Sequence, residues 1–184
     1  MRATFDDQLA ELAGAKESFA FLLGMLAAAG KPGRGSAHVR ALRAAAAAQY
    51  IASCYTRIEG ILKFVANEID DEPLTGEDWH ARLLARMVRA RGEPAARPRV
   101  IGTKTRALLD ELRQFRHVVR NAYSDRLRES DVMENVNRLK RALSLFERDL
   151  GSFVAYMRGD APASSSIRRL RASRRPIGTP SKSR

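Results

Sequence analysis

A single cysteine, Cys54, stands in 184 residues. No disulfide can close within the chain, and no cysteine-based metal site can assemble. A reducing, cytoplasmic compartment is the expectation. Histidine is nearly as scarce: His38, His80 and His117 lie far apart without ligand spacing, so neither a metal site nor any cofactor is expected. Aromatic residues make up only 7%, and no apolar–polar alternation is long enough to build a sheet. Without strands, the glycines between Gly30 and Gly35 form a turn between helices rather than a phosphate-binding loop. No Ser or Cys sits in a nucleophile motif, and no helix pair has the tight turn and polar recognition face of a helix-turn-helix reader. The longest apolar run, Phe19 to Gly30, is too short to span a bilayer. It follows Asp6, Asp7, Glu11 and Glu17 instead of the basic start of a signal peptide. It reads as a core helix, with no membrane partner.

What remains is dominated by alanine, leucine and arginine, which favour helix. The length suits one domain with a real core. Lys and Arg exceed Asp and Glu by 12, which favours an anionic partner such as RNA, DNA or an acidic protein. Half of that excess lies in residues 160–184, where seven Lys or Arg face the single acid Asp160. This Ser-, Arg- and Pro-rich stretch has too few apolar residues to fold alone. The expected division is a helical domain over 1–159 and a basic, disordered tail over 160–184.

Apolar spacing predicts five helices. The first covers 5–29, with Leu9, Leu12, Phe19, Leu22, Leu23 and Leu26 inward. The second covers about 37–70, capped by Ser36, with Ile51, Cys54, Ile58, Ile61, Val65 and Ile69 as its stripe and Tyr55 and Leu62 widening it. A turn at Asp70–Gly76 leads to a short helix over 77–90, on which Trp79, Leu83, Leu84 and Met87 face inward. Arg91 to Pro98 reads as loop. A fourth helix covers 104–124 after Thr103. A fifth covers 130–157, with Ser130 or Asp131 as cap, and stops at Gly159. The fold class is therefore all-α: an antiparallel bundle of four main helices plus one short helix.

The fourth helix carries the chemistry. Leu108, Leu112, Phe115, Val119 and Ala122 share its core face. Beside them run two polar rows, Arg116-Arg120-Tyr123 and Arg113-His117-Asn121. Like charges at i, i+4 cost stability in a helix, and no acid intervenes before Asp125. Such a cluster points to an anion such as phosphate, or to acids of a second subunit.

This segment resembles the Arg-x4-His-x-Tyr motif of HepT-like ribonuclease toxins in the HEPN superfamily. Arg116 matches the arginine, His117 its polar neighbour and Tyr123 the tyrosine; Asn121 stands at the histidine position. The stretch Leu109 to His117, Tyr55-Thr56-Arg57-Ile58-Glu59, and Trp79-His80 after the turn look similar too, so the likeness covers about 35–157. It implies a HEPN-like bundle and the toxin component of a type II toxin–antitoxin pair. It also implies metal-independent RNA cleavage in the cleft of a homodimer, and neutralisation by a nucleotidyltransferase antitoxin that adenylylates Tyr123. Arg116 would stabilise the phosphorane. Asn121 can hydrogen-bond a phosphate or a 2′-OH but cannot transfer a proton, so His117 is the titratable substitute. Arg113 and Arg120 would bind phosphate, supported by Tyr55 and by Glu59 orienting Arg116 from across the bundle; Glu59 paired with Lys63 at i+4 is the other reading. Trp79 is expected as a core anchor, His80 as a cap or packing residue. A catalytically silent HEPN-like module that binds RNA or protein is the alternative function, and a structural partner of an acidic protein the third.

Overall fold

The computed structural model describes residues 4–30, 33–93, 96–121 and 127–160. The basic tail expected over 160–184 lies, beyond Asp160, outside these residues. Helix α1 spans Phe5–Ala28, α2 Ala37–Phe64, α3 Trp79–Met87, α4 Thr103–Asn121 and α5 Glu129–Arg158. There is no strand among the described residues; Arg91 and Arg97 form one isolated backbone bridge. No described helix is long and apolar enough to cross a membrane.

Side-chain pairs fix the helix directions. Glu11 meets Arg57, the Ala15 carbonyl meets Cys54, Phe21 meets Tyr50 and the Ala29 carbonyl meets Arg43, so α1 and α2 are antiparallel. Asp6 with Arg158 and Lys16 with Glu147 make α1 antiparallel to α5. Thr105 with Asp149 and Glu111 with Arg138 do the same for α4 and α5. Thus α2 and α5 run one way and α1 and α4 the other, with α3 packed against α2 and α4. This is the expected four-helix bundle with a short addition.

The core is built from the faces that the spacing predicts. On α5, Val132, Val136, Leu139, Leu143, Phe146, Leu150, Phe153 and Val154 are all buried. On α2, Ile51, Cys54, Tyr55, Ile58, Ile61 and Leu62 are buried. Burial pushes the Cys54 thiol up to about 11, leaving it an inert core group. Leu23, expected inward, is exposed instead, and on α4 Leu109 is fully buried while Leu108 is only half-buried.

Local chemistry sets the helix ends. Thr4 and Asp7 form a reciprocal capping box on α1, and Ser36 caps α2 by accepting from the Val39 amide. α2 continues as a π-helical turn over Val65–Ile69, where the Asp70 amide reaches the Val65 carbonyl. The expected caps Ser130 and Asp131 instead lie inside α5; Arg128 takes the cap position and its guanidinium bonds Asp131. Gly159 ends α5 with φ of 83°, the left-handed conformation that glycine adopts freely.

The connection from α2 to α4 is tied down rather than loose. The Arg97 guanidinium is fully buried and bonds both oxygens of the equally buried Asp70, at 2.5 and 2.8 Å. It also donates to the carbonyls of Arg89 and Pro98. The Met87 carbonyl accepts from Val100 and Ile101. The C-terminal end of α3 is thereby tied to the segment that follows it.

Candidate active site

The apolar face of α4, with Leu109, Leu112, Phe115 and Val119, is buried in the bundle. The helical repeat sets Arg113, Arg116, His117, Arg120 and Asn121 on the adjoining flank. The described members of both polar rows, Arg113, Arg116, His117, Arg120 and Asn121, open on one pocket of about 270 Å³, and the remaining wall is His80 at the start of α3. His117, Arg120 and Asn121 are exposed, whereas Arg113, Arg116 and His80 are half-buried. Tyr123, expected as part of the motif, lies outside the described residues.

Behind this pocket lies Glu59 of α2, only 5% exposed. A carboxylate at that depth needs partners. The Tyr55 hydroxyl donates to it at 3.2 Å, His80 Nδ1 makes a short contact with the same oxygen, and Arg116 Nη2 lies 3.9 Å from the other oxygen. Arg116 is also held by its Nε, which donates to Thr56 Oγ1 at 3.1 Å, and by the Tyr55 ring beneath the guanidinium at 5.9 Å. The Thr56 bond is firmer than the Glu59 contact, since 3.9 Å is the edge of ion-pair distance. Terminal donors of the guanidinium therefore remain for an anion.

Tyr55 serves this arrangement without titrating. Burial first, and then the adjoining Glu59 charge, pushes its hydroxyl far above the usual phenol range. It remains a protonated donor that positions Glu59. Lys63, the other expected partner of Glu59, sits instead over the Trp79 ring at 4.8 Å.

His80 corrects the expectation. It is neither a cap nor a packing residue alone: its ring stacks on Trp79 at 3.7 Å, bonds the buried carboxylate and lines the pocket. Sequence reasoning missed it because 21 residues separate it from Glu59. The available signal was a histidine placed directly after the aromatic anchor of a short helix.

Asn121 Nδ2 lies 3.0 Å from His117 Nε2 and donates to the His117 carbonyl at 3.0 Å. Nε2 thus sits at hydrogen-bond distance from the Asn121 amide and accepts from it wherever that nitrogen carries no proton. Arg113 pairs with Asp110 at 2.8 Å. Three arginines thus face two carboxylates, Glu59 and Asp110, leaving one positive charge in excess before any histidine is protonated. The pocket favours an anion.

Together the fold and this pocket define a class: an all-helical protein with a cationic, histidine-bearing cleft on one helix, backed by a buried carboxylate. A family model described as HepT-like protein matches residues 46–157. That span covers more than half of the chain and every pocket residue, and the chain belongs to the HepT-like family of the HEPN superfamily. Comparison with curated proteins and with solved structures gives no significant match.

Proposed function

We propose that the protein is a metal-independent endoribonuclease, the toxin component of a type II toxin–antitoxin pair acting in the cytoplasm. The observation that carries this reading is the single pocket in which Arg113, Arg116 and Arg120 meet two histidines over a buried carboxylate. Arg113 and Arg120 bind the RNA phosphates, and Arg116 stabilises the extra negative charge as phosphorus becomes five-coordinate. His117 Nε2 takes the proton of the 2′-OH. The 2′ oxygen then attacks phosphorus, the bond from phosphorus to the 5′ oxygen breaks, and a 2′,3′-cyclic phosphate and a 5′-OH result. Asn121, at the family's histidine position, holds His117 until the 2′-OH replaces its amide.

The active form is a homodimer whose two pockets face one cleft. A nucleotidyltransferase antitoxin disarms it by joining the α-phosphate of a nucleoside triphosphate to the Tyr123 oxygen, with release of pyrophosphate. The substitution of Asn121 for histidine favours the second reading, a catalytically silent module that binds RNA or protein.

The test is cleavage of single-stranded RNA in EDTA by wild type and by His117→Ala. Wild type should cut, and the variant should be slowed by about 100-fold or more with RNA binding retained, the usual size of an acid–base contribution. Full cleavage by His117→Ala removes His117 from the mechanism. Binding without cleavage by wild type establishes the silent module.

A further inference from the structure

We infer that His80, aligned by the buried Glu59, is the general acid that protonates the departing 5′ oxygen. The inference rests on the ribonuclease reading above and supplies the step that His117 leaves open. In-line cleavage needs one group to take the 2′-OH proton and another to give a proton to the leaving oxygen. On α4, His117 is occupied as the acceptor of the 2′-OH proton in that reading, and its neighbour Asn121 cannot transfer a proton. A donor must come from elsewhere, and His80 is the titratable side chain that α3 contributes to the pocket.

The surroundings of His80 suit that role. Its Nδ1 faces a Glu59 oxygen, and a carboxylate there is an acceptor, so Nδ1 carries a proton and Nε2 is the nitrogen that exchanges one. The Trp79 ring stacked on it restricts rotation. The Tyr55 hydroxyl, bonded to the same Glu59 oxygen, keeps the carboxylate in place. The charged and titratable groups facing the ring are Glu59 and Tyr55 from α2, and Arg113, Arg116, His117 and Arg120 from α4. Imidazolium at His80 gives its Nε2 proton to the 5′ oxygen as the bond to phosphorus breaks. The neutral ring keeps its Nδ1 proton on Glu59. His117, protonated in the same event, returns its proton to water. Glu59 and Tyr55 are positioning residues; neither gains nor loses a proton.

The experiment uses the full chain and a single-stranded oligoribonucleotide that wild type cuts, made in two forms. One is ordinary RNA, and the other carries sulfur in place of the scissile 5′ oxygen, a leaving group that needs no proton. His80→Asn keeps an N–H donor for Glu59, and His80→Gln is a second variant. Each is first checked for a wild-type circular dichroism spectrum and for binding of the 2′-O-methyl oligonucleotide. The expected loss on ordinary RNA is about 100-fold or more, with the alkaline limb of the pH–rate profile gone. On the sulfur-bridged RNA, the rate should lie within about threefold of wild type. Wild-type cleavage of ordinary RNA by both variants, or an equal loss on both substrates, overturns the role of His80 while leaving the ribonuclease reading intact. A wild-type protein that cuts no RNA overturns the ribonuclease reading and the role of His80 with it.

Discussion

Replacing Arg116 with Ala should lower RNA cleavage by about 100- to 1,000-fold, the size of effect seen when a preorganised donor to a developing oxyanion is removed. Arg116 is the arginine that α2 reaches, through Thr56 Oγ1 and Glu59. Its loss removes the cation at the phosphorus and leaves Glu59 with Tyr55 and His80 as its partners. Arg116→Lys should not restore the rate, because a lysine carries one compact charge and lacks the Nε that bonds Thr56 while other donors stay free. Single-turnover cleavage together with an RNA-binding measurement separates the outcomes. Expression of wild type should arrest growth and expression of Arg116→Ala should not. Unchanged cleavage by Arg116→Ala would remove the arginine from the chemistry and shift the site to another face of α4.

The second large effect is on stability. Asp70→Ala should cost about 3–5 kcal/mol, because it leaves the Arg97 guanidinium buried without a counter-charge. Both side chains are fully inaccessible, and Arg91 lies 3.6 Å from the same carboxylate. Urea unfolding checks the size of the loss. Asp70→Leu combined with Arg97→Met should cost clearly less than Asp70→Ala alone, since no charge is then stranded. Equal losses in the two proteins would show that packing around residue 70, not the charge pair, sets the stability. The pair also bears on the site: it ties the end of the π-helical turn to the segment that follows α3, the helix that carries His80. The double variant should therefore fold and yet cut RNA more slowly than wild type.

Much of this architecture follows from local patterns that a sequence displays openly. Apolar residues on α5 recur every three or four positions from Val132 to Val154, and every one of those expected is buried. Ser36 and Gly159 mark a helix start and a helix stop through their own backbone chemistry. The flank of α4 was legible for the same reason, because helical geometry alone sets Arg113, Arg116, His117, Arg120 and Asn121 side by side. What stayed hidden depends on distance in sequence. Glu59 and His80 meet across 21 residues, and Asp70 and Arg97 across 27. From the residues alone Glu59 reads equally as a charge paired with Lys63, and only the resemblance sets it beside Arg116; Asp70 and Arg97 look like ordinary polar positions. The packing of α3 and α4 against α2 makes Glu59 a buried anchor, bonded to His80 and close to Arg116. Ser130 and Asp131 are good capping residues, yet α5 extends one residue beyond them to Glu129, whose carboxylate pairs with Arg43 of α2. Leu108 and Leu109 are adjacent apolar residues, so periodicity could not decide which faces inward.

The most direct test of the pocket as an RNA-cutting site is analysis of the ends that wild-type protein leaves on single-stranded RNA in EDTA. The expected products carry 2′,3′-cyclic phosphate and 5′-hydroxyl ends, and they disappear with Arg116→Ala. Intact RNA, or fragments bearing 3′-hydroxyl and 5′-phosphate ends, would contradict attack by the 2′-OH in this pocket.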